Sequence, residues 1–583
     1  MNNYTWNIKS IYKSQKDWDL DLEKFKSGVL EYEKKVIDID SVRTLKRALL
    51  VEKRLDKLYS KLFMYILLKV ELQPKNEDNK FKETELNNMV SQYSYVSLEL
   101  DQKIKKLNQT YKQKLTANKE LKFFWPRIEQ VLNIKRRLSY KSEKLMSKFE
   151  SLKERFPSLY NNIVNKHISF QDITTDDGNL KKVKYTNIKN LEGSADANVR
   201  RRTYYSKRRA IEKTAGSFSQ TLNGFLQFNK IFAHMEKYNS LVDFCLYEDG
   251  IKENQVVNVL ETIKSNKYII EELTAIKKRD MGIKKYYSYD DAYAPMQKKI
   301  NISKTMKDIK EASLVFENGS EKIINDLVKE RKVKILTKPE VNLSYEGFSI
   351  GMRDVGPYVF SYYKRDVSSA MTLAHELGHA IHEVKINKAN DQWNSMSTLL
   401  VAEIISYTYE IGYLLNNIRN AKSRKTQKKW MLELMNYYYS CLYKKGFHTQ
   451  YELELYKKTE NNESFNPKDL SESYESIRSE YFDGIHEKTK YSSREWVGFN
   501  RLLWDFYEFK YIIAFSLASK ISAKVYEGNK FYIKQFDNLL KAGYSSSTKD
   551  ILKEFGVNFS SIESVVEEAF SRLEEIVQEY KIL

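Results

Sequence analysis

The chain has 583 residues, of which 42% are hydrophobic and 30% charged, with a formal net charge of +20. This length and balance describe a globular protein with room for several lobes, and exclude a disordered or fibrous chain. The Lys and Arg residues are interleaved with Asp and Glu along every segment and form no single stripe, so neither nucleic acid nor an anionic membrane is expected as a partner.

Only 7 prolines and 19 glycines interrupt a sequence rich in Lys, Glu, Leu and Tyr, a composition that favours long helices over sheet. The first residues, "MNNYTWNIKSIYKSQKDWDL", are polar and lack an apolar h-region, so no secretory leader is expected. From about Asp17 to Glu150 the pattern predicts long amphipathic helices; "SVRTLKRALLVEKRLDKLYSKLFMYI" (41–66) spaces its apolar residues by three and four. Breaks are expected at "LQPKNEDN" (72–79) and "FWPRIEQ" (124–130), each with a Pro. The most apolar run, "LFMYILLKVEL" (62–72), is too short and interrupted to span a bilayer.

The stretch 168–200 reads as a small hairpin followed by a capped helix start, after which helices resume from Val199 to about Arg279. "YYSYDDAYAPM" (286–296) is a non-helical connector. "KVKILTKPEVNLSYEGFSIGMRDVGPYVFSYY" (332–363) is rich in β-branched and aromatic residues with repeated Gly, and predicts one or two short strands with turns. Beyond Ala370 nearly everything is expected to be helical. Cys245 and Cys441 show no CxxC pairing, which fits a reducing compartment and a cytoplasmic location.

"TLAHELGHAIHEV" (372–384) carries three of the seven histidines. On a helix, residues four apart share a face, so His375 and His379 can bind one metal ion, while Glu376 sits about 100° round the same turn, placed to take a proton from a bound water. Such spacing arises rarely by chance in a chain with so few histidines. A third ligand is required. A metzincin would place Gly and His three and six residues after His379; those positions hold His382 and Lys385, so that pattern fails. In "STLLVAEIISYTYE" (397–410), Glu403 is an isolated carboxylate in an apolar run, costly unless it meets a polar neighbour or a metal. Glu410, two turns on, shares its face and is either a hydrogen-bond partner for a ligating His or a surface carboxylate. His382 is expected to be a supporting or structural histidine.

HELGH followed by the Glu of "VAEIISYTYE" resembles the thimet oligopeptidase family of zinc metallopeptidases, and within it most closely oligoendopeptidase F. "SADANVRRRTYYSKRRAIEK" (194–213), "DAYAP" (291–295), "YEGFSIGMRDVGPYVFSYY" (345–363) and "REWVGFNRLLWDFYEFKYIIAFSLASKI" (494–521) are similar to further segments of that family. The resemblance implies a mainly α fold: a two-lobed helical ellipsoid with a deep substrate channel and a small β element beside the HExxH helix. It implies an N-terminal helical region (1–195), a catalytic metallopeptidase region (196–583) and one Zn2+ per chain on His375, His379 and Glu403. The implied activity is hydrolysis of short unstructured oligopeptides, by a monomer or weak homo-oligomer. Gly347, Phe348, Ser349 and Ile350 would form an edge strand that pairs with the substrate backbone.

The chain departs from that family in "FNRLLWDFYEF" (499–509), where Arg501 stands at the usual oxyanion-binding His and Phe509 at a usual Tyr. Tyr507 is then the first candidate donor, with Tyr511 and Arg501 as others. The departures leave room for a second expectation, a peptide-binding homologue that retains zinc but turns over weakly or with altered specificity.

Overall fold

A computed structural model describes residues 4–110, 115–133, 140–317, 319–338, 345–543 and 547–583. Three long helices open the chain, Gln15–Ile37, Val42–Leu72 and Glu77–Thr110. The first two start on capping boxes, Ser14 with Asp17 and Ser41 with Thr44, which satisfy the free amides of the first turn. The helices pack around Trp18, Phe25, Val29, Leu45, Leu49 and Leu100, all buried. Pro126 sits in the first turn of the next helix, Trp125–Asn133, where its missing amide costs nothing. From that helix Arg127 bridges buried Glu52 and Asp101 at 3.0 and 2.7 Å.

The expected hairpin is present as a two-residue antiparallel ladder, Ile173–Thr174 with Leu180–Lys181. Arg200, in the 194–213 segment, then pairs in the interior at 2.7 Å with Asp290, the residue just before "DAYAP".

Among the described residues the segment 332–363 forms three strands, one more than the largest number expected, with residues 339–344 lying outside the described ones. Val333–Leu336 runs parallel to Gly356–Tyr362, and Gly347–Met352 runs antiparallel to it at the sheet edge. Strand alternation sorts the edge strand's faces. Phe348, Ile350 and Met352 join a cluster around Trp6, while Gly347 and Gly351 lie against Thr372, Glu376 and Glu383 of the following helix.

That helix, Val367–Ala389, packs on Leu399–Arg419, which packs in turn on Tyr507–Tyr526. These three form the centre of a core running from Tyr160 to Tyr580. The expectation of near-continuous helix after Ala370 fails between Asp483 and Phe506, where the chain makes only short 3-10 turns. Gly484, Gly498 and Phe506 take positive φ there (84, 90 and 54°), which breaks helical continuation. Arg501 therefore sits on a 3-10 turn, and the helix carrying Tyr507 begins only at that residue. No helix among the described residues is long and apolar enough to cross a membrane.

Candidate active site

The Val367–Ala389 helix is started by Asp366, whose side chain accepts the Ser369 amide at 2.8 Å. Two turns in, His375 and His379 bring their Nε2 atoms to 3.1 Å of each other. Glu403, 3% exposed on the Leu399–Arg419 helix, reaches across with Oε2 3.3 Å from His375 Nε2 and Oε1 3.7 Å from His379 Nε2. The donor atoms of the three residues all lie within 4.8 Å of one another. A tetrahedral cation with bonds of about 2.0–2.1 Å spaces its ligands by about 3.3 Å, so these separations fit such an ion. Glu403 Oε2 is buried without a hydrogen-bond partner among the described residues, a costly state for a carboxylate oxygen unless a cation meets it.

The electrostatics agree with that fit. Burial opposes charge on Glu403, but His375 and His379 hold its pKa down at about 2. Burial pushes His379 down to about 4, leaving its Nε2 lone pair available. His375 is also desolvated, yet Glu410 and Glu403 raise its pKa well above the ordinary value. Glu410 Oε2 lies 3.2 Å from His375 Nδ1, and an Nδ1–H donated there turns Nε2 toward the ligand position. The Tyr437 hydroxyl donates to the same Glu410 oxygen. Nothing in "MNYYYS" distinguishes Tyr437 from its neighbours, and sequence reading missed it. Tyr407 was also missed; it stands edge-on to His375 at 5.7 Å and lies one helical turn after Glu403, a spacing that could have found it. His382 stays outside the donor group. It is buried, its Nε2 has no partner among the described residues, and burial lowers its pKa to about 3.

Glu376 is 8% exposed and faces the edge strand. Burial pushes its pKa up to about 7, partly offset by His375 and by a hydrogen bond from the Ser349 main chain. A Cβ added at Gly347 would lie 3.0 Å from Glu376 Cγ and 2.7 Å from Thr372 Cγ2, so only glycine lets the strand come this close. On the opposite wall, the Tyr511 hydroxyl donates to Glu403 Oε1 at 2.6 Å and the Tyr507 hydroxyl meets that of Tyr511. The Arg501 guanidinium lies 4.6 Å from the Tyr507 ring centre and 5.9 Å from that of Tyr511. Phe509 points away, fully buried in the core 5.9 Å from Phe506, so its departure from the family pattern takes no group from the site.

Gly378 of the motif permits the two ligand-bearing helices to touch. A Cβ there would lie 2.9 Å from Tyr409 Cδ2 and 3.1 Å from the Ser406 Cα. Gly378→Ala is therefore expected to lower stability by about 1–3 kcal/mol in denaturant titration, since a main-chain atom cannot give way as a side chain can. A variant as stable as the parent would show that the helices tolerate a wider spacing.

The model of peptidase family M3 matches residues 349–570, which contain the His375, His379 and Glu403 donors, Glu376, Glu410 and the Tyr507–Tyr511 pair, and begin two residues after Gly347. Oligopeptidase PepF of Bacillus subtilis (strain 168) is 24% identical over 99% of this chain and 88% of its own. Chromosomal oligoendopeptidase F of Lactococcus lactis subsp. cremoris is 22% identical over 99% and 97%. Among solved structures, oligoendopeptidase-F from Enterococcus faecium superposes with a TM-score of 0.72 at 17% identity, covering 97% of this chain and 99% of that one, and so shares the fold. The family model thus matches the part of the chain that carries the site helices, and the chain is similar from end to end to oligoendopeptidase F and resembles peptidase family M3.

Proposed function

We propose that the chain is a zinc-dependent endopeptidase that hydrolyses short, unstructured oligopeptides in the cytoplasm, as a monomer or weak homo-oligomer, with residues 1–195 as a helical region beside the catalytic region 196–583. The observation that carries this reading is the meeting of three groups in one place. A buried carboxylate, Glu376, is held by the Ser349 main chain of an edge strand, beside a His375–His379–Glu403 donor set. His375, His379 and Glu403 would hold one zinc ion, and zinc supplies Lewis-acid chemistry, polarising a carbonyl and acidifying water.

The chain's own residues do the rest. The edge strand at Gly347, Phe348, Ser349 and Ile350 pairs with the extended substrate backbone and presents the scissile carbonyl beside Glu376. Glu376 accepts the proton of the attacking water on its carboxylate and later hands it to the leaving amine. Glu410 and Tyr437 fix the His375 ring. The tetrahedral oxyanion takes its hydrogen bond from the Tyr507 hydroxyl as it turns from Tyr511, with the permanently charged Arg501 guanidinium as a further donor and Tyr511 able to donate only on leaving Glu403.

Digestion of a mixed peptide library with and without chelator, comparing wild type with Glu376→Gln, tests this. Metal-dependent cleavage by wild type that is lost in the variant is expected. If zinc-loaded wild type cleaves no member and the variant behaves identically, the peptidase reading fails. Tight binding without cleavage would support the zinc-retaining peptide binder instead.

A further inference from the structure

Between Tyr507 and Tyr511 the chain carries a buried carboxylate, Glu508, 4% exposed in the first turn of the Tyr507–Tyr526 helix. A carboxylate is favoured at a helix start by the free amides there, but that effect requires neither burial nor a partner. Glu508 has both. Lys445 donates to its Oε2 at 2.7 Å, and Arg501 brings Nε to 3.8 Å from its Oε1. Burial opposes charge on Glu508, yet Lys445, His448 and Arg501 hold its pKa below the ordinary value. Burial lowers His448 to about 3, which leaves Lys445 and Arg501 as its charged partners.

Elsewhere Arg501 meets rings. Its guanidinium lies 4.6 Å from the Tyr507 ring centre, 5.2 Å from that of Trp504 and 5.9 Å from that of Tyr511. Rings alone let a guanidinium slide across their faces, whereas a carboxylate beside Nε fixes which way the planar fork points. At 3.8 Å that contact is longer than a hydrogen bond, so the terminal nitrogens are not taken up by Glu508. Burial, and then Glu403, raise the pKa of the Tyr507 hydroxyl, and the Arg501 charge opposes that rise, which keeps the hydroxyl a better donor. Lys445 opens the helix Lys445–Glu460 straight after a π-helical turn, Tyr439–Lys444, and its ammonium stands 5.1 Å from the Tyr511 ring centre. One stretch of chain thus backs both sides of the site, with Tyr437 behind His375 through Glu410 and Lys445 behind Tyr511.

We infer that Glu508 is a positioning residue that aims Arg501 at the oxyanion, so that Glu508, Lys445 and Arg501 together stand in for the histidine usual at position 501. The inference rests on the peptidase reading and deepens it. Full-length, zinc-loaded Glu508→Gln is expected to lose about tenfold in kcat, with KM within about twofold and zinc content unchanged, because Arg501 is misaimed while the edge strand and the donor set stay intact. Arg501→Gln is expected to lose at least as much. Adding Glu508→Gln to it should cost less than about twofold more, since a residue that acts through Arg501 then has nothing left to position. Losses that multiply in the double variant, or either single variant turning over as fast as wild type, overturn the inference. If stranding the Lys445 ammonium unfolds Glu508→Gln, the same cycle is measured on a Lys445→Met parent, where no ammonium is left unpaired. If wild type cleaves no peptide at all, the peptidase reading is what fails. Affinity of the zinc-loaded proteins for a phosphinic peptide, whose tetrahedral oxygens imitate the intermediate, then decides Glu508 by itself. Glu508→Gln is expected to bind it about tenfold more weakly, with no further loss in the Arg501→Gln background, and equal binding overturns the inference.

Discussion

Glu376→Gln is expected to lower kcat/KM for peptide cleavage on the order of a thousandfold or more, with bound zinc unchanged. Gln has nearly the shape of Glu, so it preserves the packing against Gly347 and Thr372 and can still accept the Ser349 hydrogen bond. It loses only the ability to take up a proton. The carboxylate is not one of the three converging donors, so metal content measured by mass spectrometry should match wild type. This split separates proton transfer from metal binding. A variant within tenfold of wild type would remove Glu376 from the chemistry, and one that had lost its zinc would make it a ligand or a structural prop.

Glu403→Ala is expected to do the reverse and empty the site. It removes one of three donors and leaves the Tyr511 hydroxyl and the His375 Nε2 without the carboxylate that now faces them. Affinity for zinc, measured by competition with a chelator of known strength, should fall by well over 100-fold, and peptide cleavage should fall with it. Tyr437→Phe supplies the comparison. It leaves all three donors and removes only the hydroxyl that steadies Glu410 behind His375, so its loss in affinity should lie at about 10–100-fold. If Glu403→Ala retains zinc as well as Tyr437→Phe does, the donor set is wrongly drawn, and another side chain completes it.

Much of this was legible before any coordinates, and the reason is locality. An α-helix repeats every 3.6 residues, so four-residue spacing alone set His375 and His379 on one face with Glu376 beside it. The isolation of Glu403 in "LLVAEIISY" marked it as a carboxylate in need of a buried partner, and the structure carries it to 3.3 Å from His375. The helical character of the chain and the family resemblance followed from the same local patterns.

What the sequence alone could not determine depends on residues far apart in the chain meeting in space. The parallel pairing of Val333–Leu336 with Gly356–Tyr362 puts Gly347–Met352 at the sheet edge, and no periodicity within either segment announces it. Tyr437 sits 27 residues from Glu410 in a run of three tyrosines, and only the packing of their helices selects it. Arg501 and Phe509 look alike as departures from a pattern, yet one stacks over Tyr507 while the other is sealed in the core, because Phe506 at positive φ ends the 3-10 turn and restarts the chain as helix. Side-chain spacing along a helix is a property of the chain, whereas which faces meet is decided by the packing of the whole.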